Sequence, residues 1–314
     1  MILITGGTGF LGGRIASFLK DQGYKVRIGT RKYNKIFHKH LKDFEIVEMN
    51  FFDENSLLNA CDDISTIFHL ADVNAQEAAI NPQIAIKTNG IGTLNLLNSA
   101  NKKGIKKIIY FSTIHVYGEA LSGDVLETTL PFPRHPYGIT SRLAEDIVLQ
   151  NNMKEMVSVV LRLSNVVGAP ISYENKCWHL IANDLCRQVM ETKTLKVNSN
   201  PNIERDFISL KSLLKVCLKL IETEITDNKI WGNIFNISSG DSISLKNLTN
   251  LIAKQSRYLF NGFNPEIKFL SHNNSKTIKK YNINSNKAKK FGLLKYETLN
   301  SDIDELLLKC NKWF

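Results

Sequence analysis

The amino-acid sequence predicts an α/β fold: a doubly wound parallel sheet with helices on both faces, followed by a smaller C-terminal α/β domain. Short apolar runs alternate with helical patterns through the first half of the chain. Strands separated by single helices are joined by right-handed crossovers, so they form a parallel sheet. The predicted strands are almost wholly apolar, as strands covered on both faces must be. We expect the sheet domain over 1–165, with 204–240 returning to it, and the smaller domain over 166–314.

The periodicity of apolar residues places the individual elements. Short apolar and β-branched runs predict strands at 1–6, 25–31, 44–50, 65–71, 106–113, 158–168 and 231–239. Amphipathic patterns predict helices at 11–24, 56–63, 89–104, 137–152, 179–190, 210–223, 244–256 and 302–310. The pattern becomes less regular beyond residue 165, which favours a separate second domain.

Charge and composition limit the classes of partner. The net charge is +10, but the lysines are scattered and the basic stretches are short, so we expect no nucleic-acid partner. No apolar stretch approaches the roughly 18 residues that span a bilayer, and the first strand lacks the basic flank of a signal peptide. We therefore expect a cytoplasmic protein with no membrane partner. The five cysteines lack metal-ligand spacing, so we expect buried thiols and no metal.

A glycine-rich loop indicates a dinucleotide site. The stretch "TGGTGFLGGR" follows the first predicted strand and opens the first predicted helix, with Gly6, Gly9 and Gly12 spaced three apart. Glycines in this context let the backbone turn tightly and approach a pyrophosphate, which binds the free N–H groups of the helix N-terminus. The motif therefore predicts a Rossmann-type domain.

The end of the second predicted strand discriminates between cofactors. A site for NAD usually has an acidic residue there, which binds the ribose 2′-hydroxyl and repels a 2′-phosphate. In this chain Thr30 stands at that point and is followed by Arg31 and Lys32. A hydroxyl with two cations suits a phosphate, so NADP(H) is favoured and NAD(H) remains possible.

Eight motifs in order then give the chain a family resemblance. They are "TGGTGFLG", "IFHLAD", "TNGIGTLNLL", "YFSTIHVYG", "PYGITSRLAED", "LRLSNVVG", "RDFISL" and "FNISSGDSIS". The chain resembles, almost end to end, the extended short-chain dehydrogenases/reductases that modify nucleotide-linked sugars. The resemblance implies an NAD(P)-dependent enzyme that acts on a nucleotide-diphosphate sugar. It also implies a homodimer whose four-helix interface is built from the helices containing 90–103 and 137–151.

The resemblance assigns roles to individual positions. The pyrophosphate would be held by Gly6, Gly9, Phe10 and Leu11, the adenine by Asn50 and Phe51, and the middle of the cofactor by Leu70, Ala71 and Asn89. The family usually has Asp where this chain has Asn50. Thr113 would hydrogen-bond the reacting oxygen of the sugar, and Tyr137 would act as acid and base. The diphosphate or nucleotide end of the substrate would be held by Asn165 and Arg205.

The chain departs from the family pattern at Ser141, where a lysine is expected four residues after Tyr137. In the family a hydride moves between the nicotinamide and a sugar carbon, usually C4, while the tyrosine transfers the hydroxyl proton. The lysine lies one helical turn from the tyrosine and lowers its pKa. Arg142 follows Ser141, but one step along a helix turns its side chain about 100° away.

Three hypotheses remain open at this point. In the first, Tyr137 works without a lysine, which favours reduction because a protonated phenol is already the required acid. In the second, His115 or His135 assists as a proton carrier, with a packing role as the alternative for His115. In the third, catalysis is lost and the protein binds a nucleotide sugar or the cofactor. The first leads to a 4-ketoreductase or epimerase, which the resemblance places in surface polysaccharide synthesis.

Overall fold

The computed structural model describes residues 1–32, 39–119, 121–151, 156–270 and 280–314, and the chain divides into two compact units. The first unit comprises Met1–Ala120, Glu127–Leu163 and Cys217–Asn236, and the second comprises Leu121–Leu126, Ser164–Val216 and Ile237–Phe314. The segment 204–240 is therefore split, because only 217–236 belong to the first unit.

The strands and helices are numbered in chain order. The strands are β1 (Ile2–Thr5), β2 (Val26–Thr30), β3 (Glu45–Glu48), β4 (Thr66–His69), β5 (Lys107–Thr113), β6 (Gly123–Val125), β7 (Val157–Leu163), β8 (Asn165–Val167), β9 (Thr194–Val197), β10 (Glu204–Ser209), β11 (Asn233–Ile237), β12 (Ser242–Ser244), β13 (Glu266–Phe269) and β14 (Tyr281–Ile283). The helices are α1 (Phe10–Asp21), α2 (Glu54–Ala60), α3 (Ala75–Ile80), α4 (Pro82–Ala85), α5 (Thr93–Lys102), α6 (Pro136–Asn151), α7 (Ile181–Thr192), α8 (Leu210–Glu222), α9 (Leu245–Leu259), α10 (Asn286–Lys290) and α11 (Asn300–Trp313). A π-helical stretch, Ile86–Gly92, leads into α5.

A seven-stranded sheet with the order β11-β7-β5-β4-β1-β2-β3 forms the centre of the fold. The neighbouring pairs from β7 to β3 are all parallel. Strands β1, β2 and β4 are buried along their whole length, as the apolar sequence predicts. The predicted doubly wound parallel sheet is confirmed.

The position of β1 in the sheet creates a natural binding crevice. Strand β1 lies between β2 and β4, so the strand order reverses on either side of it. Loops that leave the carboxyl ends of β1 and β4 consequently diverge, and ligands bind in the gap between them in open α/β sheets. The glycine-rich loop after β1 and the segment Leu70–Val73 after β4 line the two sides of this gap.

The apolar run 158–168, predicted as one strand, is two strands that break at Ser164. Strand β7 belongs to the seven-stranded sheet, whereas β8 pairs with β10 in a separate three-stranded sheet. Both strands carry buried residues, so the run stays apolar and its pattern has no signal for the break.

The predicted helix 89–104 begins earlier, at Ile86, and its first seven residues are π-helical. Two glycines let this stretch pack closely. A Cβ at Gly90 would lie 2.7 Å from Leu143 Cδ2 of α6, and one at Gly92 would lie 3.1 Å from the Phe51 side chain. Such stretches often mark functional sites in helices. Here the stretch carries Asn89.

The second unit contains three small sheets, with the orders β12-β10-β8, β13-β9 and β14-β6. Helices α7, α9 and α11 supply most of its buried apolar cluster, which includes Leu185, Ile252 and Leu306. Several of its strands have only three or four residues, too short for a periodic pattern to reveal.

All five cysteine thiols are buried and unpaired. Across the part of the chain that the structure describes, no helix is both long and apolar enough to cross a membrane.

Candidate active site

A cavity of about 260 Å³ lies in the first unit, where the strand order reverses. It is lined by seven residues expected at the cofactor site: Gly6, Gly9, Thr30, Arg31, Phe51, Leu70 and Ala71. Four further lining residues were not expected there: Met49, Asp72, Val73 and Thr88. The crevice therefore brings together much of the predicted cofactor site.

The glycines of the loop leave room that a side chain would fill. Gly6 has a φ of +70°, and a Cβ there would lie 3.0 Å from the backbone nitrogen of Ala71. A Cβ at Gly12 would lie 2.4 Å from the carbonyl oxygen of Gly6. The loop is thus a backbone-lined cradle that only small residues can form, and this shape fits a pyrophosphate.

Helix α1 presents its N-terminus to the same crevice. Its N-cap, Gly9, offers no side-chain hydrogen bond, and the first turn contains no acidic residue. The amide groups of the first turn, which includes Phe10 and Leu11, lack a side-chain cap and carry the positive end of the helix dipole. This end of α1 fits a bound anion.

The residues expected to select the cofactor lie at the end of β2. Thr30 is buried, and its hydroxyl donates a hydrogen bond to the Lys32 carbonyl oxygen at 3.3 Å. The Arg31 and Lys32 side chains are exposed, and Arg31 lines the cavity. The loop that follows, 33–38, lies outside the described residues.

Asn50 and Phe51 have different environments. Phe51 is buried, lines the cavity and contacts the His69 ring edge-on at a centroid distance of 5.8 Å. Asn50 is exposed, and its Oδ1 accepts a hydrogen bond from the Phe52 N–H at 3.0 Å. In this structure the Asn50 side chain stabilises the turn before α2.

His69 organises the wall formed by β1 and β4. Its Nδ1 lies 2.8 Å from the Thr5 hydroxyl and its Nε2 lies 3.0 Å from the Thr93 hydroxyl. Burial lowers the pKa of His69 to about 4, so the ring is neutral at physiological pH. The Thr5 hydroxyl oxygen in turn accepts from the N–H groups of Leu70 and Ala71, which fixes the loop after β4.

Asn89 connects that loop to the helix that carries Tyr137. Its Oδ1 accepts from the Val73 N–H at 3.0 Å, and its amide donates to the Thr140 hydroxyl at 3.0 Å. Because Asn89 is buried, both hydrogen bonds are shielded from water. The residue therefore holds α6 against the wall of the crevice.

Thr113 and Tyr137 come together as the resemblance implies. Thr113 is the last residue of β5, Tyr137 lies in the first turn of α6, and their side chains hydrogen-bond each other. The pKa of Tyr137 is raised above that of a free phenol, first because of burial and second because of the Asp72 carboxyl. The hydrogen bond with Thr113 acts in the opposite direction.

The two candidate histidines occupy distinct positions. The exposed His115 ring contacts the Tyr137 ring edge-on at a centroid distance of 5.8 Å. The Nδ1 of His135 accepts a hydrogen bond from the Tyr137 N–H at 3.2 Å, so His135 caps the start of α6. A proton-carrying role for His115 stays a prediction.

Ser141 lies fully buried on the same face of α6 as Tyr137. Its hydroxyl donates to the Tyr137 carbonyl oxygen at 2.8 Å and lies 3.4 Å from Asp72 Oδ2. Arg142 points away from this face and pairs with Glu145 at 3.1 Å and Asp146 at 2.6 Å. Arg142 therefore does not replace the missing lysine.

Asp72 is the residue of this site that the sequence interpretation missed. It is half-buried and lines the cofactor cavity, and its Oδ1 is shielded from solvent. Burial raises the pKa of Asp72 to about 7, although hydrogen bonds from Ser141 and Asn89 favour its charged form. The available signal was an acidic residue directly after an apolar strand, in "IFHLAD".

A buried ion pair anchors helix α6. Arg162 of β7 binds Glu145 of α6 through two hydrogen bonds of 2.9 and 2.7 Å. Glu145 also accepts from the Ser112 hydroxyl at 2.6 Å. Since Ser112 precedes Thr113, the network fixes the end of β5 relative to α6.

The residues expected to hold the far end of the substrate lie in the second unit. Asn165 is in β8 and Arg205 in β10, which pair in the three-stranded sheet. The Asn165 amide donates to the carbonyl oxygen of Asp206 at 2.8 Å, and Arg205 is half-buried. Their substrate contacts stay a prediction.

Known proteins resemble the chain across most of its length. A UDP-N-acetyl-alpha-D-glucosaminuronate decarboxylase of Bacillus cytotoxicus is 28% identical over 253 residues, which are 78% of this chain and 76% of that protein. A UDP-glucose 4-epimerase of Thermotoga maritima, solved with UDP-glucose, is 24% identical with a TM-score of 0.81 over 99% of both chains.

Two further solved structures contain a cofactor. A UDP-glucuronic acid 4-epimerase of Bacillus cereus, in complex with UDP-glucuronic acid and NAD, is 22% identical with a TM-score of 0.80 over 100% of this chain and 99% of that one. The protein RMD of Pseudomonas aeruginosa, in complex with NADPH, is 20% identical with a TM-score of 0.78 over 99% of both chains. At these identities the structural likeness shows the fold alone.

A match to a sequence-family model assigns the chain to a family and agrees with the resemblance found in its motifs. The model of the NAD-dependent epimerase/dehydratase family matches residues 2–238, and the chain belongs to that family.

Proposed function

We propose that this protein is an NAD(P)-dependent oxidoreductase that acts at C4 of a UDP-linked sugar, and that it works as a 4-ketoreductase. The observation that carries the proposal is that the Tyr137 phenol is hydrogen-bonded to Thr113 and is held in its protonated form. Burial and the Asp72 carboxyl both raise the Tyr137 pKa. A protonated phenol is the acid that reduction of a ketone needs, whereas oxidation of an alcohol needs a base.

A nicotinamide dinucleotide bound in the crevice supplies the hydride for this reaction. The glycine loop and the N-terminus of α1 bind its pyrophosphate. Thr113 positions the carbonyl oxygen of the sugar beside Tyr137, which donates its phenol proton to that oxygen. Asn89 keeps α6 in register with the crevice, because it bridges Val73 and Thr140. The uridine diphosphate part of the proposal is supported by the named relatives, which act on or contain UDP-sugars.

An epimerase that acts at C4 is the second candidate, and solved neighbours of that kind support it. An epimerase returns its nicotinamide to the starting state, whereas a reductase consumes the reduced cofactor. Stoichiometry separates the two. We expect one equivalent of reduced cofactor to be oxidised for each 4-keto sugar converted. Interconversion of 4-hydroxy epimers with no net cofactor change would favour the epimerase.

We further propose that NADP(H) is preferred to NAD(H). The support is the Thr30 hydroxyl and the Arg31 side chain, which line the cavity, and the exposed Lys32 that follows them in the chain. No carboxylate stands at the end of β2 to repel a 2′-phosphate. Binding constants for NADPH and NADH, measured by quenching of protein fluorescence, test this preference, and tighter binding of NADH would contradict it.

The alternative hypothesis, a protein that has lost catalysis, predicts that the cofactor binds but is not turned over. The relationship to named enzymes and the Thr113–Tyr137 pair support catalysis instead. Stopped-flow loss of nicotinamide absorbance with a panel of 4-keto UDP-sugars decides between them, with Tyr137→Phe as the control. Equal inertness of wild type and variant across the panel would favour the binding protein.

We also propose a homodimer through the helices 86–102 and α6. Five apolar side chains on these helices are between 40% and 48% exposed: Ile86, Ile91, Leu94, Ile139 and Leu143. Exposed apolar groups on two adjacent helices suit a four-helix interface. Light scattering after gel filtration should give a dimer for the wild type and a monomer for Leu143→Glu.

The buried thiols support a reducing, cytoplasmic compartment. Surface polysaccharide synthesis is the pathway that the family resemblance favours.

A further inference from the structure

The position where the resemblance implies a lysine is occupied by a cluster of oxygen-bearing side chains. Ser141 Oγ lies 3.4 Å from Asp72 Oδ2. The Tyr110 hydroxyl is buried, and it interacts electrostatically with Ser141, Asp72 and Tyr137. A site that would hold an ammonium group therefore holds a carboxyl and two hydroxyls.

The carboxyl of Asp72 is unusual because it titrates in the physiological range. An exposed aspartate is fully ionised at neutral pH, but burial raises the pKa of Asp72 to about 7. The side chain also lines the cavity that fits the cofactor. A protonated carboxyl is neutral and a proton donor, so its state depends on any charge that enters the cavity.

We propose that Asp72 is the proton store of this site: it holds a proton when the nicotinamide is reduced and releases it when the nicotinamide is oxidised. The inference rests on the proposed function, and Asp72 acts through Tyr137 as a positioning residue. The oxidised nicotinamide ring carries a positive charge that the reduced ring lacks. An ionised Asp72 therefore stabilises the oxidised cofactor by charge attraction. The reduced cofactor has no positive ring charge for Asp72 to attract.

The protons balance in the reduction. The sugar carbonyl carbon gains a hydride from the reduced nicotinamide dinucleotide, and its oxygen gains the proton of Tyr137. The proton of Asp72 then passes to the Tyr137 phenolate, with which Asp72 interacts electrostatically. Asp72 is left as a carboxylate, and one proton from solvent restores it when the cofactor exchanges.

The other ionisable groups around Asp72 do not account for titration near neutral pH. His69 on β4 is neutral above its pKa of about 4, and the pKa of Tyr110 on β5 is raised well above its usual value. On α6, the Tyr137 pKa is raised as well, and Glu145 is paired with Arg162. The π-helical stretch contributes the uncharged amide of Asn89. His115 contacts Tyr137 and therefore serves as a control position.

The test measures binding of oxidised and reduced cofactor by calorimetry between pH 5.5 and 8.5, in buffers of different ionisation enthalpy. We expect oxidised cofactor to release about half a proton near pH 6.5, and reduced cofactor to release less. The affinity for the oxidised form relative to the reduced form should rise about tenfold over this range, which corresponds to about one unit of pKa change. A 2′-phosphate is present in both NADP+ and NADPH, so its titration cancels in the ratio.

Two variants decide the outcome. Asp72→Asn should make the affinity ratio independent of pH, whereas His115→Gln should keep the pH dependence of the wild type. An unchanged pH dependence in Asp72→Asn overturns the proposal. If wild type binds neither cofactor at any pH, the proposed function fails instead, so the two failures are distinguishable.

A second measurement uses only the wild type, in case Asp72→Asn does not fold. Infrared difference spectra between the oxidised- and reduced-cofactor complexes should show loss of a protonated carboxyl band on oxidation, with the shift in D₂O that such a band requires. Absence of this band at pH 6.5 in both complexes overturns the proposal.

Discussion

Installing the lysine that the family resemblance implies is the sharpest perturbation of this site. Ser141 and Tyr137 are four residues apart on α6, so their side chains are neighbours on one helix face. An ammonium about 5 Å from the phenol oxygen, at an effective dielectric constant of about 20, favours the phenolate by about 3 kcal/mol. This energy corresponds to a fall of about two units in the pKa of Tyr137.

The neighbouring carboxyl reduces this effect in the single variant. A lysine at position 141 would pair with Asp72, whose Oδ2 is 3.4 Å from the present serine oxygen. We therefore expect the pKa of Tyr137 to fall by less than one unit in Ser141→Lys. It should fall by about two units when Asp72→Ala is added. The larger side chain must also fit a fully buried position, which destabilises the fold by about 1–3 kcal/mol.

The assay is the pH dependence of oxidation of a UDP-sugar by the oxidised cofactor. The wild type should be slow across the range, and the double variant should gain activity with its acidic limb about two pH units lower. Ser141→Met is the matched control, because it adds similar bulk without charge. A double variant that folds, binds cofactor and keeps the wild-type pH profile would refute the electrostatic reasoning.

Four other predictions follow from the described contacts. Tyr137→Phe should reduce the rate of ketone reduction at least a hundredfold and leave the affinity for cofactor within about twofold, as judged by stopped-flow and fluorescence titration. Gly12→Ala should weaken cofactor binding at least tenfold, because the added methyl would lie 2.4 Å from a backbone oxygen of the glycine loop; unchanged affinity would contradict that placement. Arg31→Ala combined with Lys32→Ala should weaken NADPH binding about tenfold and NADH binding by less than twofold, and an equal loss for both would remove the phosphate-site argument. The native Asp72 pKa of about 7 exceeds its unfolded value near 4, so the native state binds more protons between these limits and stability falls as pH rises through them. In urea unfolding, the free energy of unfolding of Asp72→Asn should rise relative to that of the wild type by about 1–3 kcal/mol between pH 4.5 and 8. A difference that stays constant over this range would contradict the assignment.

The sequence predicts the parts of this site that depend on local pattern. The glycine loop follows a buried strand and precedes a helix, and backbone conformation alone accounts for its glycines. The seven-stranded sheet was predictable from alternating strand and helix patterns. Thr113 and Tyr137 were found through the family resemblance, and the structure brings them into contact.

The sequence could not reveal contacts between distant positions. Asp72 and Ser141 are 69 residues apart, so neither residue type indicates that they meet. The break at Ser164 gives no signal because apolar residues continue on both sides of it, in β7 and β8. Asn50 was placed by analogy with the family's aspartate, but its side chain is bound to the turn before α2.

These contacts explain how one altered residue changes the chemistry available to the site. With a lysine, the tyrosine can alternate between acid and base. With Ser141 in place of the lysine, burial favours the protonated phenol, and Asp72 adds to this effect whenever its carboxyl is ionised. Under the proposed function, the departure from the family pattern therefore concerns the direction of proton transfer more than its presence.

Single-turnover reduction tests the central claim most directly. The protein is mixed with stoichiometric NADPH and a 4-keto UDP-sugar, and nicotinamide absorbance is followed by stopped flow for the wild type and Tyr137→Phe. We expect a complete single turnover in the wild type, with one 4-hydroxy sugar formed per NADPH, and at least a hundredfold slower reaction in the variant. Equal rates in the two proteins, or the absence of product from every 4-keto UDP-sugar while NADPH remains bound, would contradict it.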